Sequence, residues 1–296
     1  MNLHVGIFFY NQAQYVDGIF EDIKVLLSAD NIDLKTIKIT IFDDGSSDDT
    51  QSIIKRNNCE FMPQINLRLS PLNQGVMARV DEFMSLIDER EFILFVAGDD
   101  RIIVDGLLQA YLFLEKNENF SAVICNAWRY VGDKVHQAHP NFWPYTLINK
   151  SGERFYKFLQ HFYPRPLLVQ ATLFRADNLR RIHAFDWKSR LDDWPLFLRL
   201  FSNKSEIIFL NNIFISKYIY NDKSVSTNPS RILDLVSEVS KEFSLLNLWG
   251  PLSQVEFRKF LVSIKIKNID YKIHLPKLLV GFIMEIYYKC RSMQKL

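Results

Sequence analysis

Cysteine is scarce in this chain: Cys59, Cys125 and Cys290 lie far apart, with no CxxC pair and no cysteine–histidine cluster. That pattern excludes a disulfide framework and a zinc-finger type of site, and it fits a reducing compartment. No apolar run reaches the roughly 18 to 20 residues that a membrane-spanning helix requires. The opening Met-Asn-Leu-His-Val-Gly-Ile-Phe-Phe-Tyr has neither a charged leader nor a small-residue cleavage site. It reads as a strand entering a core, and a cytoplasmic location is expected. Glycine-rich phosphate loops are missing as well: neither Gly-x-x-x-x-Gly-Lys nor Gly-x-Gly-x-x-Gly occurs, nor an Asp-x-Asp-Gly-Thr nucleophile motif. There is no internal repeat and no low-complexity segment.

What is present suffices for a large core. The 296 residues are 48% apolar and include 24 phenylalanines, which suits one large domain or one domain with an appendage. The net charge of +2 hides an asymmetry. From Pro251 onward there are nine basic residues against three acidic ones, so the first 250 residues are mildly acidic and the tail is basic. Such a tail suits an anionic surface such as a membrane face, and nucleic acid is not an expected partner.

Apolar runs, polar turns and helical stretches alternate in the rhythm of a parallel α/β sheet. Strands are expected at Leu3–Phe9, Ile37–Phe42, Leu67–Ser70, Glu91–Ala97, Ala122–Cys125, Leu168–Phe174 and, as one or two pieces, Ile207–Tyr220. Helices are expected near 14–29, 50–57, 76–88, 105–116 and 178–183. From Asn126 to Arg165 the pattern weakens and reads as surface loops, with His136 and His139 either solvated or near an acceptor. His4, on a strand, reads as structural. Trp128, Trp143, Trp187 and Trp194 read as core residues or as faces for a sugar. Asn228-Pro229-Ser230 marks a boundary, giving a domain over 1–228 and a helical, basic extension over 229–296. The last helix, from Pro276 to Arg291, either lies in a bilayer interface or packs on the main domain.

The stretch Glu91 to Asp100 organises the rest. It is a continuous apolar run that ends in Gly98-Asp99-Asp100, so its charges arrive only at the carboxyl end of a buried strand, where α/β sheets bind ligands. Adjacent carboxylates repel unless something positive joins them, and all-oxygen ligation suits Mg²⁺ or Mn²⁺. A strand-ending turn with a helix cap is the plain alternative.

Three acidic pairs, Asp43-Asp44, Asp99-Asp100 and Asp192-Asp193, together with Tyr10-Asn11 and Asn73-Gln74-Gly75, resemble the inverting family 2 glycosyltransferases of the GT-A fold. The resemblance extends over roughly residues 3 to 226 and points to bacterial surface-polysaccharide (O-antigen or capsule) synthesis. It implies a nucleotide-sugar site at Phe9, Tyr10, Asn11, Asp43, Asp44, Asn73, Gly75, Arg79 and Asp99, with Asp44 accepting hydrogen bonds from the base or ribose. It implies a divalent metal, Mn²⁺ or Mg²⁺, at Asp99 and Asp100, which stand where the family has Asp-x-Asp; the first aspartate of that motif is Ala97 here. It makes Asp193 the general base, places Asp192 and Trp194 near the acceptor, and puts Asn221 on a flap where many members carry histidine. The expected reaction moves a sugar from a nucleotide-diphosphate sugar, UDP-linked by family habit, to a hydroxyl of a lipid-linked saccharide at the inner membrane face. A nucleotidyltransferase or phosphotransferase on a similar sheet, or a catalytically silent sugar-nucleotide module, are the competing readings.

Overall fold

The computed structural model describes residues 2–29, 37–58, 65–139, 167–185 and 206–220, with Asp193, Leu196, Phe197, Arg199 and Leu200. The sheet strands are β1 (Asn2–Phe9), β2 (Ile37–Asp44), β3 (Ile65–Ser70), β4 (Glu91–Ala97), β5 (Arg101–Ile102), β6 (Ala122–Val131), β7 (Lys134–Gln137), β8 (Thr172–Arg175) and β9 (Ile207–Tyr220). The helices are α1 (Ala13–Leu27), α2 (Thr50–Asn58), α3 (Val76–Leu86), α4 (Val104–Lys116) and α5 (Ala176–Arg181), and a 3-10 turn spans Val169–Ala171. The proposed extension, 229–296, lies outside the described residues.

The sheet runs β3-β2-β1-β4-β8-β6-β9-β5, with β7 paired to β6. The first four strands in that order are parallel, β8 enters antiparallel, and β6 and β9 resume the direction of β4. It is a mixed, mostly parallel α/β sheet. β1, β2 and β4 are buried almost throughout, as strands covered on both faces are, whereas β3 exposes Asn66 and Arg68 as an edge strand does.

Each face of the sheet has its own core. Leu3, Val5 and Ile7 point toward α1 and α4, while on the other face Phe83 from α3 packs among Phe8, Phe42 and Phe95. Phe83 lies so close over β1 that a Cβ at Gly6 would fall 2.6 Å from its ring. Cutting Phe83 to alanine would cost about 3–5 kcal/mol. Cys125 is buried in the first of these cores, and burial pushes its thiol well above the ordinary range.

The segment after Cys125 differs from its sequence reading. It is not loop: β6 continues to Val131 and turns back as β7. The reason is a buried side chain, Asn126. Its Nδ2 donates to the carbonyls of His139 (2.9 Å) and Asn211 (3.0 Å), and its Oδ1 accepts from the His139 amide (3.0 Å). This knot sits where the β6–β9 register shifts, so a bulge is held by long-range bonds that no local pattern announces. His139 is consequently buried, not solvated, and burial lowers its pKa to about 4. His136, by contrast, is exposed on β7. Leu168 to Phe174 begins as the 3-10 turn and becomes strand only at Thr172.

Candidate active site

Parallel pairing sets Phe9 beside Asp43, Asp44 beside Ser70, and Phe8 beside Ala97. The carboxyl ends of four strands therefore finish at one level, and the polar residues that follow them share one edge.

The β2 tip is the most heavily bonded part. Asp43 is fully buried, and its oxygens accept from the Ser46 amide (2.9 Å), the Ser46 hydroxyl and the Gln51 side chain (2.5 Å). Gln51 also donates to the Ser70 carbonyl at 2.8 Å. Asp43 therefore builds the turn. Asp44 instead faces the next loop and accepts from the amides of Gln74 (3.0 Å) and Gly75 (2.7 Å). The Arg79 Nε is 3.3 Å from the same carboxylate, an ion contact without hydrogen-bond alignment. Arg79 also donates to Glu82 (2.7 Å) and to the Gln74 side chain, so its assignment to a nucleotide competes with internal partners. A carboxylate has about four acceptor sites, which leaves Asp44 capacity for a ligand donor.

Gly45 makes this approach possible. It has φ +72°, and a Cβ there would fall 2.4 Å from the Leu72 backbone. Gly75, at φ +89°, needs its conformation but no space. Asn73 accepts from the Gly75 amide at 3.0 Å. At the β1 tip, Asn11 adopts φ 51°, its amide donating to the Ser46 hydroxyl (2.8 Å) and its Oδ1 accepting from the Ser47 amide (2.8 Å). Asn11 thus ties two strand tips together, and Tyr10 beside it is exposed. Phe9 is buried, its ring against Gly98, so its side chain belongs to the core beneath the site. Asp48 bridges to the start of α1: burial raises its pKa, but bonds from Thr50 and the Ala13 amide outweigh that and hold it below the ordinary value.

The β4 tip carries the other carboxylates. Gly98 donates to the Phe8 carbonyl at 2.8 Å, and a Cβ there would fall 2.2 Å from the Phe9 ring. Asp99 is half-buried and Asp100 almost fully enclosed. One Asp100 oxygen accepts from the Ile219 amide (3.0 Å), and the other is buried with no hydrogen-bond partner. Burial and the adjacent Asp99 charge push the Asp100 carboxyl well above its usual range, while the bond from the Ile219 amide pulls the other way. A buried orphan oxygen beside a second carboxylate is the donor set that a hard divalent cation fits. Among the described residues no third His, Cys, Asp or Glu joins them in a ready cluster.

Asp193 is half-buried, and its carbonyl accepts from the Phe197 amide (3.2 Å) at the start of a helical turn. Phe197 packs near Phe174 of β8, which places that turn on the α3 face of the sheet. Asp192, Trp194 and Asn221 lie outside the described residues. Sequence reasoning missed the Ile219 amide, which donates to Asp100. A backbone amide leaves no signal in the sequence.

The model of glycosyl transferase family 2 matches residues 4–172, more than half of the chain, and the chain belongs to that family. A processive diacylglycerol beta-glycosyltransferase of Mycoplasma genitalium is 23% identical over 234 residues, 75% of this chain and 67% of the relative. S. aureus TarS 1-349, solved in complex with UDP-GlcNAc, superposes with a TM-score of 0.61 at 16% identity, over 90% of this chain and 73% of TarS. The mannosyltransferase PcManGT from Pyrobaculum calidifontis, solved with GDP-Man and Mn²⁺, gives a TM-score of 0.55 at 14% identity, over 99% of this chain and 83% of that one. These structural likenesses establish the GT-A fold.

Proposed function

We propose that the chain is an inverting, metal-dependent glycosyltransferase that moves a sugar from a nucleotide-diphosphate sugar, with UDP as the nucleotide, to a hydroxyl of a lipid-linked saccharide. The carrying observation is the pairing, at one sheet edge, of a buried Asp44 with an Asp100 whose second oxygen is enclosed and unpartnered.

Asp44 receives an N–H or O–H of the nucleoside. Asp99 and Asp100 would hold Mn²⁺ or Mg²⁺, and a cation bound there offsets charge on a leaving diphosphate. Asp193 takes the proton of the acceptor hydroxyl as that oxygen bonds to the anomeric carbon, while the bond to the diphosphate breaks on the opposite face. Asp192 and Trp194 would serve the acceptor, and Asn221 would belong to a flap over the donor. The diacylglycerol acceptor in the Mycoplasma relative's name supports a lipid acceptor, as does the basic tail; residues 229–296 would then meet an anionic cytoplasmic membrane face while 1–228 carry the chemistry. No helix among the described residues is long and apolar enough to cross a membrane. A role in surface-polysaccharide synthesis follows from such an acceptor.

A thermal-shift screen of nucleotides and nucleotide sugars, with and without Mn²⁺, tests this, because a ligand bound only by the folded state raises the melting temperature. A metal-dependent rise with a diphosphate nucleotide is expected. No rise with any of them would remove the donor reading.

A further inference from the structure

The hairpin that sequence reasoning took for loop carries Arg129, a cation that no acidic side chain among the described residues neutralises. Residues opposed across a sheet share a face, and Arg129 of β6 opposes Tyr218 of β9 and His136 of β7. Two positions along, Val131 opposes Tyr220 and Lys134, so all of these project from one side. The Arg129 guanidinium lies 5.1 Å from the Tyr220 ring centroid and 5.9 Å from that of Tyr218. Its Nε is enclosed and has no hydrogen-bond partner. Among the described residues it forms no ion pair, and Asp133 in the exposed turn is the single acidic residue between Ala122 and His139.

The position is as telling as the charge. β6 and β9 run parallel to β4's direction, so Arg129, Tyr218 and Tyr220 stand at the carboxyl edge that also holds Asp44 and Asp100. Ile219, between the two tyrosines, donates to Asp100. At about 4.8 Å per strand step, Arg129 is on the order of 10 Å from that carboxylate. Arg129 and Asp100 thus flank β9 at the same edge, one on each side of its last residues. A half-enclosed guanidinium without a counter-ion favours an anion, and its planar fork of donors matches phosphoryl oxygens. The two tyrosine rings hold the fork in place.

We propose that Arg129, with Tyr218 and Tyr220, binds a phosphoryl group carried by the acceptor, making the acceptor a phosphorylated saccharide. This rests on the glycosyltransferase reading above and specifies its second substrate.

The test first fills the donor crevice with UDP and Mn²⁺ and then titrates glucose 1-phosphate or glucose by calorimetry. Wild-type protein prefers the phosphate by about tenfold, roughly the worth of one charge-assisted contact. Arg129→Ala loses the preference, Arg129→Lys keeps part of it, and UDP affinity stays within about twofold in both. Should the alanine variant not fold, Arg129→Gln, which keeps the stem over the tyrosines, carries the same expectation. A preference that survives Arg129→Ala, or no preference in wild type, overturns the subsite. Loss of UDP affinity in the variants also overturns it, assigning Arg129 to the donor. So does Arg129-dependent binding of phosphatidylglycerol vesicles without any glucose 1-phosphate preference, which would make the residue a membrane contact. Failure of wild type to bind UDP contradicts the donor reading instead, and the glucose 1-phosphate comparison without UDP still decides the role of Arg129.

Discussion

Asp44 ends β2 and Asp100 follows β4, on either side of β1 at one edge and in opposite circumstances: the first is met by two amides and an arginine, the second keeps an oxygen with nothing to accept. Asp44 is therefore settled without a ligand, and Asp100 is strained toward a proton or a cation. Asp193 stands apart from both as the proposed base. Asp193→Asn should retain donor binding and lose transfer by about two to four orders of magnitude, read by steady-state kinetics beside calorimetry; near-normal turnover would remove the base assignment. A further carboxylate, Glu91, sits at the far end of β4 and answers to pH. Burial raises its pKa, but bonds from His4 (3.1 Å) and Lys38 (2.6 Å) outweigh burial and bring it from 4.5 to about 2. Its folded pKa is depressed, so its contribution is present above about pH 4.5 and is lost as pH falls toward about 2. Denaturant unfolding followed across that window should show Glu91→Gln with a flatter acid limb than wild type; identical slopes would mean that the network contributes nothing to acid stability.

Close approaches between backbones hold the elements that carry the site. α4 touches β9 at Gly106, where a Cβ would lie 1.8 Å from the Phe214 carbonyl oxygen. Gly106→Ala should therefore lower stability by about 1–3 kcal/mol, the usual range for overpacking, with a matching fall in melting temperature; an unchanged melting temperature would show that α4 can shift freely. The strand after Asp100 is fixed in another way, because the Asp22 carboxylate accepts from Arg101 (2.7 Å from both Nε and Nη2) and from the Ile102 amide (2.8 Å). Elements with strong local patterns were legible from residues alone: the buried runs of β1, β2 and β4, the turn at Gly45, and the helices α1 to α4 lie close to their expected bounds. β5 and the second half of β6 were not legible. Two residues carry no period, and Trp128 to Val131 mixes aromatic, basic and aliphatic side chains that become strand only through pairing with β7 and β9.

At the scale of the whole molecule, the mostly parallel sheet delivers its charged residues to one edge, and this much followed from apolar runs that end in paired acids. The residues alone did not say which acid does structural work, although the family resemblance gave the nucleotide to Asp44. Asp43 and Asp44 are adjacent and chemically identical, yet a serine and a glutamine at 46 and 51 claim one of them while the loop at 74–75 meets the other. The basic tail adds an expectation of its own: removing the residues after Ser253 should lower co-sedimentation with anionic vesicles, and unchanged sedimentation would mean that the tail serves packing or assembly. The most direct test of the donor and metal site is calorimetry of UDP against wild type and Asp100→Asn, each with Mn²⁺ and with EDTA. Tighter binding with Mn²⁺ in wild type, lost in the variant, is the predicted result. Equal affinity with Mn²⁺ and with EDTA in wild type would contradict the role given to Asp99 and Asp100.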